Sequence, residues 1–505
     1  MTGPVVETAA GKLEGAVVHA PDGTPVHRFL GVPYAAAPVG ELRWRPPEPV
    51  PPWTGVRPAL AFGPAAPQAV ALDSPLPGFL ADAGATSEDC LSLNVWAPAD
   101  HVTPGRPVLV WIPGGAFMSG ASAQAVYDGA RLAAEAGAVV VTINYRLGAL
   151  GFMDLGHEDA ATNCGLRDQF AALTWVREHA AAFGADPGGV TVFGESAGAG
   201  SILQLLASPR RAGAFRRAVI QSCEPKVLTR DRAELVTRAF LGHLGLERAD
   251  PNRLRELPVA AVLEAQGAAF AATMAATGMM PFHPVEDGDL VVGSPADALR
   301  AGRGAGVDLV IGTTRDELRL FPDPASPDLD RGQLARRVTR LLGDAPGAAE
   351  TAIDRYLAVM GPHATPGDVW ERIRTDTLMR VPTLRVAEAQ AAHHADTYVY
   401  RFDWSSPSLG AAHATDVPFT FGNFDCEGWG AVVGADADAE RLGSELRAAW
   451  AAFARTGDPS HDGIGTWPRY DADTRATMLF DRSCRVVTDA DDVPLEVFGQ
   501  AGSIR

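Results

Sequence analysis

The sequence predicts an α/β fold built on a large, mostly parallel sheet flanked by helices. Two observations carry that prediction. Short, nearly continuous apolar runs rich in β-branched residues recur along the chain, as in strands covered on both faces. Segments of helical periodicity or glycine-rich turns separate them, the alternation that neighbouring parallel strands require. No repeat period, long charge run or disordered linker divides the 505 residues. A single domain over 1–505 is therefore expected, with excursions at about 66–88, 224–300 and 325–375 that wall a site; the last is mainly helical.

In chain order, "PVLVWIPGG" (107–115) and "AVVVTINYR" (138–146) read as buried strands. "GLRDQFAALTWVREHAAAF" (165–183) places Phe170, Leu173, Val176 and Ala180 on one helical face. "DPGG" breaks that helix before the strand "VTVFG" (190–194). Past Ser196, "AGAGSILQLLAS" has helical character and "RAVIQSC" (217–223) resumes the sheet. "VDLVIGTT" (307–314) and "DTYVYRFDW" (396–404) supply two later strands. "SELRAAWAAFARTGDP" (444–459) is a helix ended by Gly457 and Pro459.

Apolar residues make up 47% and charged residues 21% of the chain, enough for a large core. The net charge of −18, with no basic stripe, excludes nucleic acid as a partner. Lysine occurs only at Lys12 and Lys226; with the Ala, Gly and Pro usage this reads as GC-rich coding. The opening "MTGPVVETAAGKLEG" lacks the pattern of a signal peptide, and no uninterrupted apolar run has the length of a membrane span. The five cysteines are odd in number and widely spaced. They read as buried small hydrophobes in a reducing compartment rather than as metal ligands. A cytoplasmic protein is expected, without metal or cofactor.

"VTVFGESAGAGS" places Ser196 between a strand and a helix, in a G-x-S-x-G context. A nucleophile elbow needs that placement, with Gly194 and Gly198 leaving room for neighbouring chains. A helix N-cap explains the serine but neither glycine. A nucleophilic hydroxyl needs a base and an orienting carboxylate, which follow in the order acid, then His, at later strand ends. Of the late histidines, His393 and His394 precede their strand, and His363 and His461 lie in loops with no strand before them. His413, in "SSPSLGAAHATDVPFTFG", follows its strand to the correct edge. Asp316 and Glu317 both sit just past a strand end, and spacing does not choose between them. "WIPGGAFMSG" supplies free amides at Gly114, Gly115 and Ala116 for a developing oxyanion, and Ala197 adds the amide after the nucleophile.

These residues resemble the type-B carboxylesterase family, which includes para-nitrobenzyl esterases and cholinesterases. The similarity runs through "FLGVPYAAAPVGELRWRPPEP", "SEDCLSLNVWAP", "NYRLGALGF", "NCGLRDQFAALTWV", "FGESAGAGS", "PFHPVEDGDL", "IGTTRDELRLF", "HATDVPFTFG" and "WAAFARTGDP", in order. The resemblance implies an α/β-hydrolase fold with cap insertions. It also implies Ser196, Glu317 and His413 as the catalytic residues and Gly115, Ala116 and Ala197 as the oxyanion amides. Arg43 with Glu88 matches a structural salt bridge, and Ser222 a serine packed behind the site. Two departures stand out. Pro113 replaces the family's usual histidine before the glycines, and Ala66 stands where extracellular relatives carry the cysteine that pairs with the one matching Cys90. The aromatic residue that cradles choline is missing from "AVALDSPLPGFLADAGAT", so a bacterial-type carboxylesterase fits better than a cholinesterase.

The expected reaction is hydrolysis of small-molecule carboxylic esters through an acyl-enzyme. Amide or carbamate hydrolysis by the same residues, or a non-catalytic binding module of the same fold, are the alternatives. The "GGA" amide loop resembles that of esterases that accept bulky tertiary alcohols. Gly114, Phe117, Met279, Phe282 and Leu318 are expected on the pocket wall, with Met274 and Met280 nearby as adaptable lining.

Overall fold

The computed structural model describes residues 3–69, 76, 84–100, 105–211, 213–278, 280–343, 345–426, 428–488, 490 and 492–498. Its first strands are β1 (Val5–Thr8), β2 (Gly11–Glu14), β3 (Ala16–His19), β4 (Pro25–Pro33) and β5 (Val56–Pro58). β6 (Ser92–Pro98), β7 (Arg106–Ile112), β8 (Val139–Ile143), β9 (Ala185–Glu195) and β10 (Arg217–Gln221) follow. β11 (Asp308–Thr314), β12 (Thr397–Phe402), β13 (Thr477–Phe480) and β14 (Arg485–Val487) complete them. β1, β2 and β5 form a small separate sheet, and the rest form an 11-stranded sheet in the order β14-β13-β12-β11-β10-β9-β7-β8-β6-β4-β3. The strands from β13 through to β8 pair in parallel, while β14 at one edge and β6, β4 and β3 at the other run antiparallel.

The unbroken apolar runs have the expected cause. Along β7, Val108, Val110 and Ile112 enter one core while Leu109 and Trp111 enter the other. Every residue of β7, β8 and β10 is buried, which requires helices on both faces. Among these are Cys164–His179, whose last turn tightens into a 3-10 turn at Ala180–Phe183, and Ala197–Ala207, buried along its whole length. The helix expected at 444–459 starts earlier than its periodicity predicts. Asp436 caps it by accepting from the Asp438 and Ala439 amides, and it runs Ala437–Thr456 before Gly457 closes it at φ +85°.

The stretch 325–375 is helical as expected: Arg331–Leu342, Ala348–Met360 and Pro366–Thr375 pack around Leu334, Val338, Ile353, Tyr356 and Val369. The helix Val259–Thr277 is long and apolar enough to cross a membrane by length and composition, with 28% of it buried. It contains Glu264 and Gln266, and the Gln266 side-chain Oε1 accepts the Ala149 amide at 2.8 Å inside the protein. Cys90, Cys164, Cys223 and Cys484 are free thiols.

Candidate active site

Three chain segments converge where β9 ends. Ser196 sits at φ +57°, ψ −122° between β9 and the helix Ala197–Ala207, a conformation that costs a non-glycine residue about 1–3 kcal/mol. Its amide donates to the Gln221 carbonyl at the end of β10 (3.0 Å), and its carbonyl accepts from the Gly200 amide (2.8 Å). The flanking glycines are needed for space. A Cβ at Gly198 would lie 1.9 Å, and one at Gly194 2.7 Å, from the Ile112 carbonyl oxygen of β7.

The loop after β7 lies against this turn. A Cβ at Gly114 would be 3.2 Å from the Ser196 Cβ. Gly115, Ala116 and Phe117 follow at φ +115°, +54° and +60°. Among the described residues, the amides of Gly115, Ala116 and Ala197 have no acceptor. Pro113 leaves the loop without an imidazole anchor, but the Tyr145 hydroxyl donates to the Pro113 carbonyl at 2.8 Å and holds it. Phe117 packs edge-on against Phe152, ring centres 4.9 Å apart.

Glu317 opens a short helical turn just past β11. Its Oε1 accepts the Thr314 amide (2.8 Å), and its Oε2 lies 2.6 Å from His413 Nδ1. The His413 amide donates to the Glu317 carbonyl (3.2 Å), so backbone and side chain both couple the two loops. Asp316 is engaged elsewhere: Arg315 donates to it at 2.9 Å, and it accepts the Ala411 amide. Geometry thus separates two acids that spacing left equivalent.

Sequence reasoning missed Glu195. Its carboxylate is fully buried, and Oε1 lies 2.9 Å from His413 Nε2; among the described residues neither oxygen has a well-aligned hydrogen-bond partner. No hydrogen bond joins Ser196 Oγ to His413 in this structure. Burial disfavours the charged imidazole, but Glu195 and Glu317 outweigh it and hold the His413 pKa well above its ordinary value. Burial, with help from the Glu195 charge, pushes Asp416 up to about 7, although Gln221 donates to it at 2.9 Å. The signal for Glu195 was an acidic residue at the end of a buried strand, beside the serine.

The expected wall residues divide. Phe117 and Leu318 are buried at the site's edge, and Gly114 lies against Ser196. Phe282 is a correction: it is fully buried in the main core and faces no open space. Met279 lies outside the described residues, and Met274 and Met280 are half-buried. Phe321, not foreseen, rests its ring 5.7 Å from that of His413. Arg43 and Glu88 make a two-pronged pair (2.6 and 2.7 Å), and Ser222 is buried, its amide donating to Gly312.

A mixed sheet of this order, with a strained serine at its carboxyl edge, defines the α/β-hydrolase fold. The carboxylesterase family pattern matches residues 2–493, and this chain belongs to the carboxylesterase family. It is 37% identical to the para-nitrobenzyl esterase of Bacillus subtilis (strain 168), over 97% of each chain. It is 34% identical to the cocaine esterase of Oryctolagus cuniculus, over 94% of this chain and 92% of that one. Among solved structures, a Geobacillus stearothermophilus carboxylesterase superposes with a TM-score of 0.85 at 39% identity, covering 98% of this chain and 99% of the other. The chain is a carboxylic ester hydrolase.

Proposed function

We propose that this protein is a serine carboxylesterase of broad small-ester specificity that works through an acyl-enzyme on Ser196. The observation that carries the reading is the 2.6 Å pairing of Glu317 with His413 at the sheet edge that also presents the strained Ser196. His413 takes the Ser196 proton as Oγ attacks the acyl carbon, and Glu317 stabilises the imidazolium. The negative oxygen is received by the free amides of Gly115, Ala116 and Ala197, about 3–4 kcal/mol for each well-placed donor. The alcohol leaves with the proton held by His413, and water repeats the sequence on the acyl group. The turn of Nε2 from Glu195 toward Ser196 belongs to substrate binding, because such hydrogen bonds often tighten only in the complex. The small residues of the amide loop favour acceptance of bulky alcohol groups. The free thiols support a reducing, cytoplasmic setting.

A phosphonate ester of nitrophenol tests the scheme. One equivalent of nitrophenol should be released, with the adduct mass on the peptide containing Ser196; an adduct elsewhere, or none, overturns it.

The charge on Glu195 yields a pH prediction. A neutral His413 is the active form, and carboxylates beside it raise its pKa. The acid limb of kcat/KM should therefore lie above the ordinary imidazole range. Glu195→Gln removes one of those charges, so the limb should move to lower pH; a limb that stays or rises in the pH–rate profile contradicts the assignment.

A further inference from the structure

One polar side chain beside the amide loop has no work in the scheme above. His283 sits in the segment after Val259–Thr277, its ring centre 5.2 Å from that of Phe117, the residue that follows Ala116. Phe117 lies against the helix that follows Ser196: a Cβ at Gly200 would lie 3.4 Å from its ring tip. His283 is half-buried. Among the described residues, neither ring nitrogen has a hydrogen-bond partner. Burial, opposed by the Glu224 charge and helped by Lys226, holds the imidazole down at about 4, so the ring is neutral at pH 7 and offers one donor and one acceptor.

The neighbourhood is built from the same sheet edge. Gln221, whose carbonyl holds the Ser196 amide, leads into the loop that carries Glu224 and Lys226. That loop pairs with the His283 segment: the Leu228 amide donates to Pro284 (2.8 Å) and the Glu286 amide to Leu228 (2.9 Å). Glu224 and Lys226 form an ion pair with each other, so the corner presents no unpaired charge. Neither ring nitrogen is sealed off, so each can be reached by water or by a bound group.

We propose that His283 is a specificity-determining residue that hydrogen-bonds a neutral polar group, a hydroxyl or ether oxygen, on the ester substrate. This rests on the reading of Ser196 as the nucleophile. The paired state of Lys226 favours a neutral group over an anionic one.

The test compares nitrophenyl esters matched in shape: 3-hydroxybutanoate against 3-methylbutanoate, and 4-methoxybutanoate against hexanoate. For each pair the wild-type/His283→Val ratio of kcat/KM on the polar ester is divided by that on the apolar one, which cancels intrinsic reactivity. In at least one pair this double ratio should reach about ten, the worth of one neutral hydrogen bond. His283→Gln, which keeps a donor and an acceptor, should restore most of it. A double ratio near one in both pairs overturns the proposal, as does a loss that His283→Gln leaves unrestored, since that marks lost packing on Phe117. Phosphonate labelling of each variant separates the two readings. Full labelling with an unchanged ratio sinks the role of His283 alone, whereas a wild-type chain that does not label sinks the nucleophile and this proposal with it.

Discussion

Ser196→Ala is expected to lower kcat/KM for a short-chain nitrophenyl ester by about four to six orders of magnitude, the range found when a hydrolase loses its nucleophile. Among its neighbours only His413, the base, should come close, because removing one oxyanion donor costs only about a hundred- to a thousandfold. The folded state should barely notice the change. Among the described residues Ser196 Oγ has no hydrogen-bond partner, and the serine is half-buried, so the denaturation midpoint should shift by the small amount typical of a change without packing loss. The backbone sharpens the contrast. At φ +57° any L-residue is strained, and glycine alone adopts that conformation freely. Ser196→Gly should therefore be as inactive as the alanine variant but more stable, by about 1 kcal/mol or more. Initial rates and denaturant midpoints on the three proteins decide the matter. Substantial turnover by Ser196→Ala would remove the acyl-enzyme scheme, and a glycine variant less stable than wild type would remove the claim that the elbow stores strain.

Much of this arrangement is legible in the residues, for reasons that differ from site to site. Strands such as β7 and β8 announce themselves because burial on both faces leaves no polar alternation to confuse them with a surface strand. His413 emerges from topology, as the late histidine that follows a strand rather than preceding one. The choice between Asp316 and Glu317 is invisible in spacing because it depends on a competitor. Arg315 and the Ala411 amide engage Asp316 and leave Glu317 to face the imidazole. Glu195 was passed over because inside a motif it reads as a spacer, and only depth reveals a carboxylate with nothing to bind but a histidine's field. Phe282 and His283 show the opposite failure. The two lie in a loop bent at Pro281 and His283, where adjacent side chains take different surroundings. The aromatic residue expected on the wall turned into the core, and the histidine beside it remained partly open.

The largest stability effect should come from Arg146. Its guanidinium donates Nε to Asp168 Oδ2 (2.8 Å) and Nη2 to Oδ1 (2.6 Å), and the Arg146 amide adds a third bond at 3.0 Å. Both residues are buried, Asp168 at 0% exposure and Arg146 at 2%. Burial works against the charge on Arg146, but Asp168 outweighs it and raises the guanidinium pKa. Arg146→Met leaves that carboxyl buried with one amide donor and no ion partner, and burial, which already raises its pKa, then goes unopposed, so the unpaired charge or the proton it takes up costs about 3–5 kcal/mol. Pairing it with Asp168→Leu should recover part of the loss, because the stranded charge goes. Recovery stays incomplete, since the Arg45 carbonyl, which accepts from Nη1 at 2.8 Å, loses its donor in both variants. The consequence reaches catalysis through one residue. Tyr145 precedes Arg146, and its hydroxyl is the bond that holds the Pro113 carbonyl and, behind it, the amide loop. Weakening the anchor beside it should lower kcat more than it raises KM, because misplaced amides are felt in the transition state rather than in binding. Denaturant unfolding of the single and double variants, with kcat and KM measured well below their midpoints, tests both halves. A single variant that loses less than about 1 kcal/mol would show that the pair contributes no more than a surface ion pair. A normal kcat in a destabilised variant would uncouple the anchor from the amide loop.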